Sequence, residues 1–215
     1  MYAKREDPEQ VRQALKVLDT ARDPDNRNFQ VEKTFAMYSY FLGSRDSVGD
    51  EEAEKVLKEG LVAARIARRL EPKKADGWFW AAAIIGAQSK RAPITVGIPS
   101  VKKIRDGMEK AVEIDPGYQA AAPYLGLGQL ELNTRGLAGG SAEKAVGYLE
   151  KGLETSKDNA YIYLYLAEAY FAVDRDKDAI RTISELKNLK PVPEYEPEYK
   201  EALEKAEKLL KEKSS

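Results

Sequence analysis

The chain has 215 residues, with 35 basic and 36 acidic side chains and a formal net charge of −1 at pH 7. This balance argues against nucleic acid as the main partner, because nucleic-acid binding needs a basic stripe. The chain contains neither Cys nor His, which excludes a disulfide, a thiolate nucleophile, a Ser-His-Asp triad and a His-ligated zinc or haem. We therefore expect a non-enzyme without cofactor or metal. No apolar run reaches the roughly 18 residues that span a membrane, so we expect no membrane span.

The first predicted element is an amphipathic helix that starts near Pro8, a residue suited to the first turn of a helix. Val11, Leu15 and Leu18 share its apolar face. A stack of helices needs end helices with one polar face, so we interpret residues 1–25 as an N-terminal capping helix.

Four helical hairpins are predicted next: a degenerate repeat at 26–74, repeats with inserted turns at 75–117 and 118–158, and a regular repeat at 159–193. In the last one, small and large residues alternate as in the 34-residue tetratricopeptide (TPR) unit, where small residues let two helices approach closely. The matching residues are Tyr163, Leu166, Ala167, Tyr170, Ala179, Ile183, Leu186 and Pro191. The chain therefore resembles TPR proteins. We predict an all-α fold, a right-handed superhelix of antiparallel helix pairs that forms one domain over 1–215.

Three insertions, at 44–50, 91–99 and 133–140, each separate the first helix of a hairpin from its second. In the middle one, apolar and other residues alternate, which favours an extended segment with one packed side. After the third, Ser141 is a plausible helix N-cap. The insertions either form a rim over one mouth of a groove or pack against each other and stiffen the edge. The candidate rim residues are Arg91, Ile94, Val96, Ile98, Arg135 and Leu137.

The concave side of a TPR stack is lined by the first helix of each hairpin, at positions 2, 5, 9 and 12. These positions are mostly apolar here, which favours a hydrophobic peptide, an amphipathic helix or an apolar small ligand. Glu168 is the lone carboxylate among them, with Arg91 or Arg135 as candidate partners. The alternative is that the chain's own helices fill the groove. The candidate binding residues are Trp78, Ala81, Ile85, Gln88, Ala122, Leu125, Gln129, Leu132, Tyr161, Leu164, Glu168 and Phe171.

The last predicted element, within 194–215, is an amphipathic helix with Lys and Glu opposite a stripe of Ala and Leu. We interpret it as a C-terminal capping helix. Pro191, Pro193 and Pro197 make the preceding connector extended. A second interpretation is that this helix docks on a partner or exchanges between copies.

Three segments resemble the T component of TRAP transporter systems, a group of periplasmic lipoproteins: Gly77 to Trp80, Ala111 to Pro116 and Gly136 to Ala145. The resemblance implies a helical protein with a central hydrophobic pocket, association with a periplasmic substrate-binding protein, and trimers. A mature lipoprotein begins at an acylated Cys, which this chain lacks. The location therefore stays open between the periplasm, with a leader removed, and the cytoplasm.

The expected function is that of a non-catalytic interaction scaffold, which binds a protein segment or an apolar small ligand in its groove. A carrier with a closed apolar pocket is a related interpretation. The alternative is an architectural protein that self-assembles through its terminal hairpins, which would make it a homo-oligomer. Catalysis is the least expected function, because the sequence offers no nucleophile–base set.

Overall fold

The computed structural model describes residues 5–213, apart from the side chain of Glu194. Ten α-helices and two short helical turns make up the regular structure of that range, which confirms the predicted all-α class. An isolated bridge joins Arg135 and Gly140. The α-helices in chain order are α1 Pro8–Thr20, α2 Phe29–Gly43, α3 Asp50–Leu70, α4 Ala75–Arg91, α5 Ile98–Ile114, α6 Tyr118–Asn133, α7 Ala142–Thr155, α8 Ala160–Ala172, α9 Asp176–Asn188 and α10 Glu196–Lys213.

The chain falls into two compact units, Met1–Asp115 and Pro116–Ser215, called the N-terminal and C-terminal units below. In the N-terminal unit, α1 packs on α2, α2 pairs with α3, α4 pairs with α5, and α4 packs against both helices of the preceding pair. In the C-terminal unit, α6 pairs with α7 and α8 pairs with α9, while α10 packs on α8 and α9. The prediction of a single domain stays a prediction.

Small residues allow the paired helices to approach closely. A Cβ atom on Gly60 of α3 would lie 2.4 Å from the Cβ of Ser39 on α2. In the C-terminal unit, a Cβ on Gly128 of α6 would lie 2.4 Å from Cγ of the buried Leu149 on α7. These distances are far below van der Waals contact, so each helix pair packs at a separation that only glycine permits at these points.

Side-chain caps start several of the helices. Asp7 accepts hydrogen bonds from the backbone N–H groups of the first turn of α1, and Asn28 does the same for α2. Ser141 accepts one from the backbone N–H of Lys144 at the start of α7, at 3.2 Å. The prediction that Ser141 is an N-cap is therefore confirmed. Such caps satisfy backbone donors that have no partner within the helix.

The prediction of an extended segment at 91–99 is wrong, because this insertion is helical. Ala92 precedes a proline and leaves the helical region, with φ −135° and ψ 69°, because the α conformation is disfavoured before proline. The chain then closes a five-residue π-helical turn, Pro93–Gly97, in which the Gly97 N–H donates to the Ala92 carbonyl at 3.1 Å. Helix α5 follows at Ile98. Both prolines of the insertion lie in the first turn of a helix, where a missing N–H costs nothing.

Helix α6 begins with a left-handed turn. Gln119, Ala120 and Ala121 have φ angles of 49°, 53° and 61°, a conformation that costs roughly 1–2 kcal/mol per non-glycine residue. Asn159, just before α8, donates a hydrogen bond from Nδ2 to the Ala120 carbonyl at 3.0 Å and so supports this turn. None of the three left-handed residues is a glycine, so the sequence pattern gives no sign that the turn is left-handed.

Candidate functional site

The structure places Trp78, the first candidate residue of α4, at the corner between α3 and α4. Its indole N–H donates to the Pro72 carbonyl at 3.0 Å, and the Arg68 guanidinium lies 4.6 Å from the ring centroid. Further along α4, Ala81 and Ile85 are buried and Gln88 is half-buried. The contacts of Trp78 brace the corner, and Trp78 is half-buried there.

Arg91 is the candidate rim residue with the most contacts in the N-terminal unit. Its Nε donates to the Gly43 carbonyl at 3.2 Å, and its Nη2 donates to the carbonyls of Arg45 and Val48 at 2.6 and 3.1 Å. Its Nη1 pairs with the Asp50 carboxylate. Since all these groups belong to the first insertion or flank it, Arg91 joins the first two insertions. This arrangement favours the stiffened edge over an open rim.

The remaining rim candidates lie at the surface. Ile94 is 81% exposed on the π-helical turn, Leu137 is 78% exposed in the third insertion, and Ile98 is exposed at the start of α5. Val96 is half-buried, and Arg135 is exposed with its Nε donating to the Leu132 carbonyl at 3.2 Å.

In the C-terminal unit the candidate residues do come together. Leu132 on α6 and Leu164 and Phe171 on α8 are buried, and they belong to one apolar cluster. Leu125 and Tyr161 pack against the same cluster, whereas Ala122, Gln129 and Glu168 are half-buried. We call Tyr161, Leu164, Glu168 and Phe171 the α8 face.

Helix α10 covers the α8 face. Lys205 places its ammonium 5.9 Å from the centroid of the Tyr161 ring, and Lys213 places its own 5.8 Å from the centroid of the Phe171 ring. These two contacts show that α10 runs parallel to α8. Ala202 and Ala206 are the fully buried residues of α10, so a stripe of small side chains brings the two helices close.

The position of α10 differs from that of an ordinary next helix in the stack. Within the C-terminal unit, α8 packs more extensively on α7 than on α6, whereas α10 packs more extensively on α8 than on α9. Helix α10 is therefore shifted towards the face predicted to be concave. For the C-terminal unit this arrangement favours the alternative in which the chain's own helix occupies the predicted groove.

Burial and charge set the ionisation of the α8 face. Burial raises the pKa of the Glu168 carboxyl above its usual value, and the positive charges of Arg135 and Lys213 oppose this shift. Of the two arginines considered as partners of Glu168, Arg135 is thus the one that acts on it. Burial raises the pKa of the Tyr161 hydroxyl, and so does its hydrogen bond to Glu201 of α10. The edge of the α8 face therefore combines aromatic rings with one carboxylate, a surface that suits lysine side chains.

The comparison with protein families decides the membership of the chain. The model of the family described as regulator of microtubule dynamics protein 1-3 matches residues 2–134, which is more than half of the chain. The chain belongs to this family. A second model, that of the tetratricopeptide repeat, matches residues 137–206 and confirms the predicted repeat type. A search of curated proteins finds no match to this family member.

Solved structures agree with the TPR fold of this regulator-of-microtubule-dynamics family member. A thermophilic TPR protein of Thermus thermophilus is 18% identical, the match covers 91% of each chain, and the TM-score is 0.59. MamA is 16% identical, with 94% of this chain and 91% of that chain covered and a TM-score of 0.50. At these identities the likeness shows the fold alone. The matched family models name no transporter component, so the resemblance to the T component gains no support from them.

The TPR fold is generally a non-catalytic scaffold for protein interactions. Across residues 5–213 of this family member, no group of His, Cys, Asp or Glu side chains is arranged to hold a metal ion. None of the helices in the described part of the chain has the length and apolar character needed to cross a bilayer.

Sequence reasoning missed two buried carboxylates in this family member. Glu32 on α2 has no exposed surface and forms ion pairs with Arg22 and Arg27 at 3.1 and 2.8 Å. Glu131 on α6 is equally buried and accepts a hydrogen bond from the Ser141 backbone N–H at 3.0 Å. Glu32 lies three residues before the buried Phe35, so helical spacing alone could have placed it on the buried face of α2.

Proposed function

We propose that this chain is a non-catalytic scaffold whose α8 face binds an amphipathic helix of a partner protein in place of α10. The observation that carries this proposal is that an amphipathic helix, α10, already lies on that face. The chemistry of this covering helix is our guide to the chemistry that the α8 face would accept. Helix-in-groove binding of this kind is a common mode of peptide recognition.

The contacts of α10 support an expectation about the partner helix. The partner helix should carry two small residues four positions apart, in the places of Ala202 and Ala206, which are buried within the C-terminal unit. Lysines at the positions of Lys205 and Lys213 place cations beside the rings of Tyr161 and Phe171. The second of these lysines also lies near Glu168, whose charge it offsets. We therefore expect an amphipathic helix that carries lysines at these two positions beside a narrow stripe of small apolar residues.

The test uses the full chain with α10 released. Replacing both Ala202 and Ala206 by Glu forces two carboxylates into the buried interface and should detach α10. A fluorescent peptide of residues 196–213 then serves as the partner helix, and its anisotropy measures binding. The double variant should bind at least tenfold more tightly than the parent, because the parent's α8 face is occupied.

Two controls make this result specific. Glu204 is exposed on α10, so Glu204→Gln should bind the peptide as weakly as the parent. Adding Tyr161→Ala to the released variant should remove most of the gain, because the ring that Lys205 approaches is lost. Equal peptide binding by parent and released variant would contradict the proposal. An apolar dye that binds the released variant while the peptide does not would point instead to an apolar small ligand.

A second candidate function comes from the name of the family. The match to the regulators of microtubule dynamics covers residues 2–134, which include the whole N-terminal unit apart from its first residue. Arg65, Arg69 and Lys73 are exposed on the last turns of α3 and just after it, which suits an acidic protein surface. Cosedimentation with microtubules tests this candidate. The parent chain should pellet with microtubules, and the variant with these three residues changed to Glu should stay in the supernatant. Failure of the parent chain to pellet would rule out this candidate function.

Association with a periplasmic substrate-binding protein ranks behind these two candidates, because it rests only on the resemblance of three segments to the T component. Fractionation of the source cells tests its first requirement. Recovery of the native protein outside a periplasmic fraction would eliminate this candidate.

A further inference from the structure

The segment between α9 and α10 joins the cap to the rest of the C-terminal unit. It runs from Leu189 to Tyr195, and its last three residues form a 3₁₀ turn, Pro193–Tyr195. Leu189 has φ −64° and ψ 134°, and Val192 has φ −66° and ψ 146°, which are polyproline II angles. Lys190, Val192 and Pro193 are exposed. The connector therefore has extended backbone angles at Leu189 and Val192, before the turn, and several of its residues lie at the surface.

Helix α10 is held on the rest of the C-terminal unit by contacts that lie mostly at the edges of the helix. Ala202 and Ala206 are fully buried, while Leu203, Leu209 and Leu210 are only partly buried against the cluster. The polar contacts include the ion pair of Lys187 with Glu207 at 3.2 Å and the hydrogen bond from the Tyr199 hydroxyl to the Lys187 carbonyl at 3.3 Å. The two side chains of the ion pair are about half exposed. Helix α10 thus resembles a separate amphipathic helix placed on a preformed face.

We propose that α10 exchanges between two copies of this chain, so that the α10 of each copy covers the α8 face of the other. The occupant of the α8 face in this form is a second copy of the same helix. Every contact between α10 and α8 or α9 is kept in the exchanged pair, because the residues on both sides are identical. Only the connector changes its course, and exchange of an identical element is a low-cost route to dimers.

The length and composition of the connector make the exchange feasible. Once the 3₁₀ turn at Pro193–Tyr195 opens, the seven residues of the connector reach roughly 20 Å at about 3.1 Å per residue in the polyproline II conformation. Pro191 and Pro193 lack a backbone N–H, so opening the connector breaks few hydrogen bonds. Compared with two separate monomers, the exchanged dimer loses mainly translational and rotational entropy. The fraction of dimer should therefore rise with protein concentration.

The test exploits the absence of Cys from the chain. One copy carries Lys187→Cys on α9, and a second, size-tagged copy carries Glu207→Cys on α10. The two are mixed at high concentration, equilibrated, diluted and oxidised, and the products are separated without reductant. Because these two side chains meet across the interface, exchange should give a disulfide-linked heterodimer.

Two further samples make each outcome decisive. Lys208 neighbours Glu207 but is 79% exposed and pairs with Glu212 on its own helix, so Lys187→Cys mixed with Lys208→Cys should give at least tenfold less heterodimer. A single chain that carries both Lys187→Cys and Glu207→Cys should form the disulfide within itself when dilute. Heterodimer yields that are equal for the two mixtures would overturn the exchange, as would an internal disulfide with no heterodimer. Failure of the double variant to form any disulfide would overturn the position of α10 itself.

This inference does not require the proposed binding of a partner helix. A chain whose α10 stays on its own α8 face can still bind the peptide once the substitutions at Ala202 and Ala206 have released α10. A chain whose α10 exchanges freely can still reject every partner, so the two experiments fail independently.

Discussion

Replacing Glu32 by Gln should destabilise the N-terminal unit strongly, although Gln has nearly the same shape. The Glu32 carboxylate is wholly buried and pairs with Arg22 through Oε2 and with Arg27 through Oε1. The Arg22 side chain is itself only 12% exposed, and its guanidinium lies 4.2 Å from the centroid of the Phe35 ring. Glu32→Gln keeps the volume and removes the charge, so the poorly exposed Arg22 guanidinium keeps only the largely exposed carboxylate of Asp19, 3.6 Å away, as its counter-ion.

The magnitude follows from the burial of the two arginines. Breaking a buried ion pair by removing one partner costs about 3–5 kcal/mol, because the other charge stays uncompensated. Arg27 is 29% exposed and can turn towards water, which places the expected loss at the lower end, about 3 kcal/mol. For a urea slope of about 1.5 kcal/mol per molar, this loss lowers the unfolding midpoint by roughly 2 M.

Tryptophan fluorescence during urea unfolding isolates this effect. The chain has two tryptophans, Trp78 and Trp80, and both lie in the N-terminal unit. Glu52→Gln is the matched control, since Glu52 pairs with Arg12 in a bidentate contact at 2.6 and 2.9 Å, with both side chains about 40% exposed. Exposed pairs contribute little to stability, so the control should move the midpoint far less. Equal shifts for the two variants would refute the argument that burial of Glu32 sets the cost.

Two further predictions concern the C-terminal unit. Gly128→Ala should lower the stability of this unit by about 2 kcal/mol, because the new methyl overlaps the buried Leu149. Gly147 in α7 has open space around it, so Gly147→Ala should raise the stability by about 0.5–1 kcal/mol. Thermal unfolding followed by far-UV circular dichroism checks both variants, and a loss of stability in both would contradict the packing argument. Glu168→Gln should raise the midpoint at neutral pH, because the raised pKa of Glu168 means that the folded state disfavours its ionised form. That gain should vanish below about pH 4, where the carboxyl is protonated in both the folded and the unfolded chain, and a gain that persists in acid would show that the ionisation of Glu168 is not its cause.

Much of the fold could be predicted because helical hairpins are encoded locally. The spacing of Tyr163, Ala167 and Tyr170 identifies the last repeat without any long-range information. The prediction of an extended segment at 91–99 failed because the alternating Ile and Val residues match a strand pattern. The two prolines start helical turns, which an alternation pattern does not detect. The left-handed turn at Gln119 was beyond prediction, since non-glycine residues adopt it only when the surrounding structure holds them there.

The candidate site, like the fold, could be predicted only in part. The sequence placed Tyr161, Leu164, Glu168 and Phe171 on one side of α8, because positions on a helix follow from its periodicity alone. It could not show whether the chain's own helices fill the groove, since that depends on which neighbouring helix α10 packs against more closely. It also could not show that Trp78, a predicted groove residue, contacts Arg68 and Pro72.

The sequence by itself thus determined the helices, their pairing into hairpins and the absence of chemistry that needs Cys or His. These follow from local spacing and from residue types. Only the tertiary structure decided that Arg91 ties two insertions together, that Glu32 is buried between two arginines, and that α10 lies on the α8 face. Each of these depends on side chains brought together from separate helices or loops, and no periodicity along the chain records such a meeting.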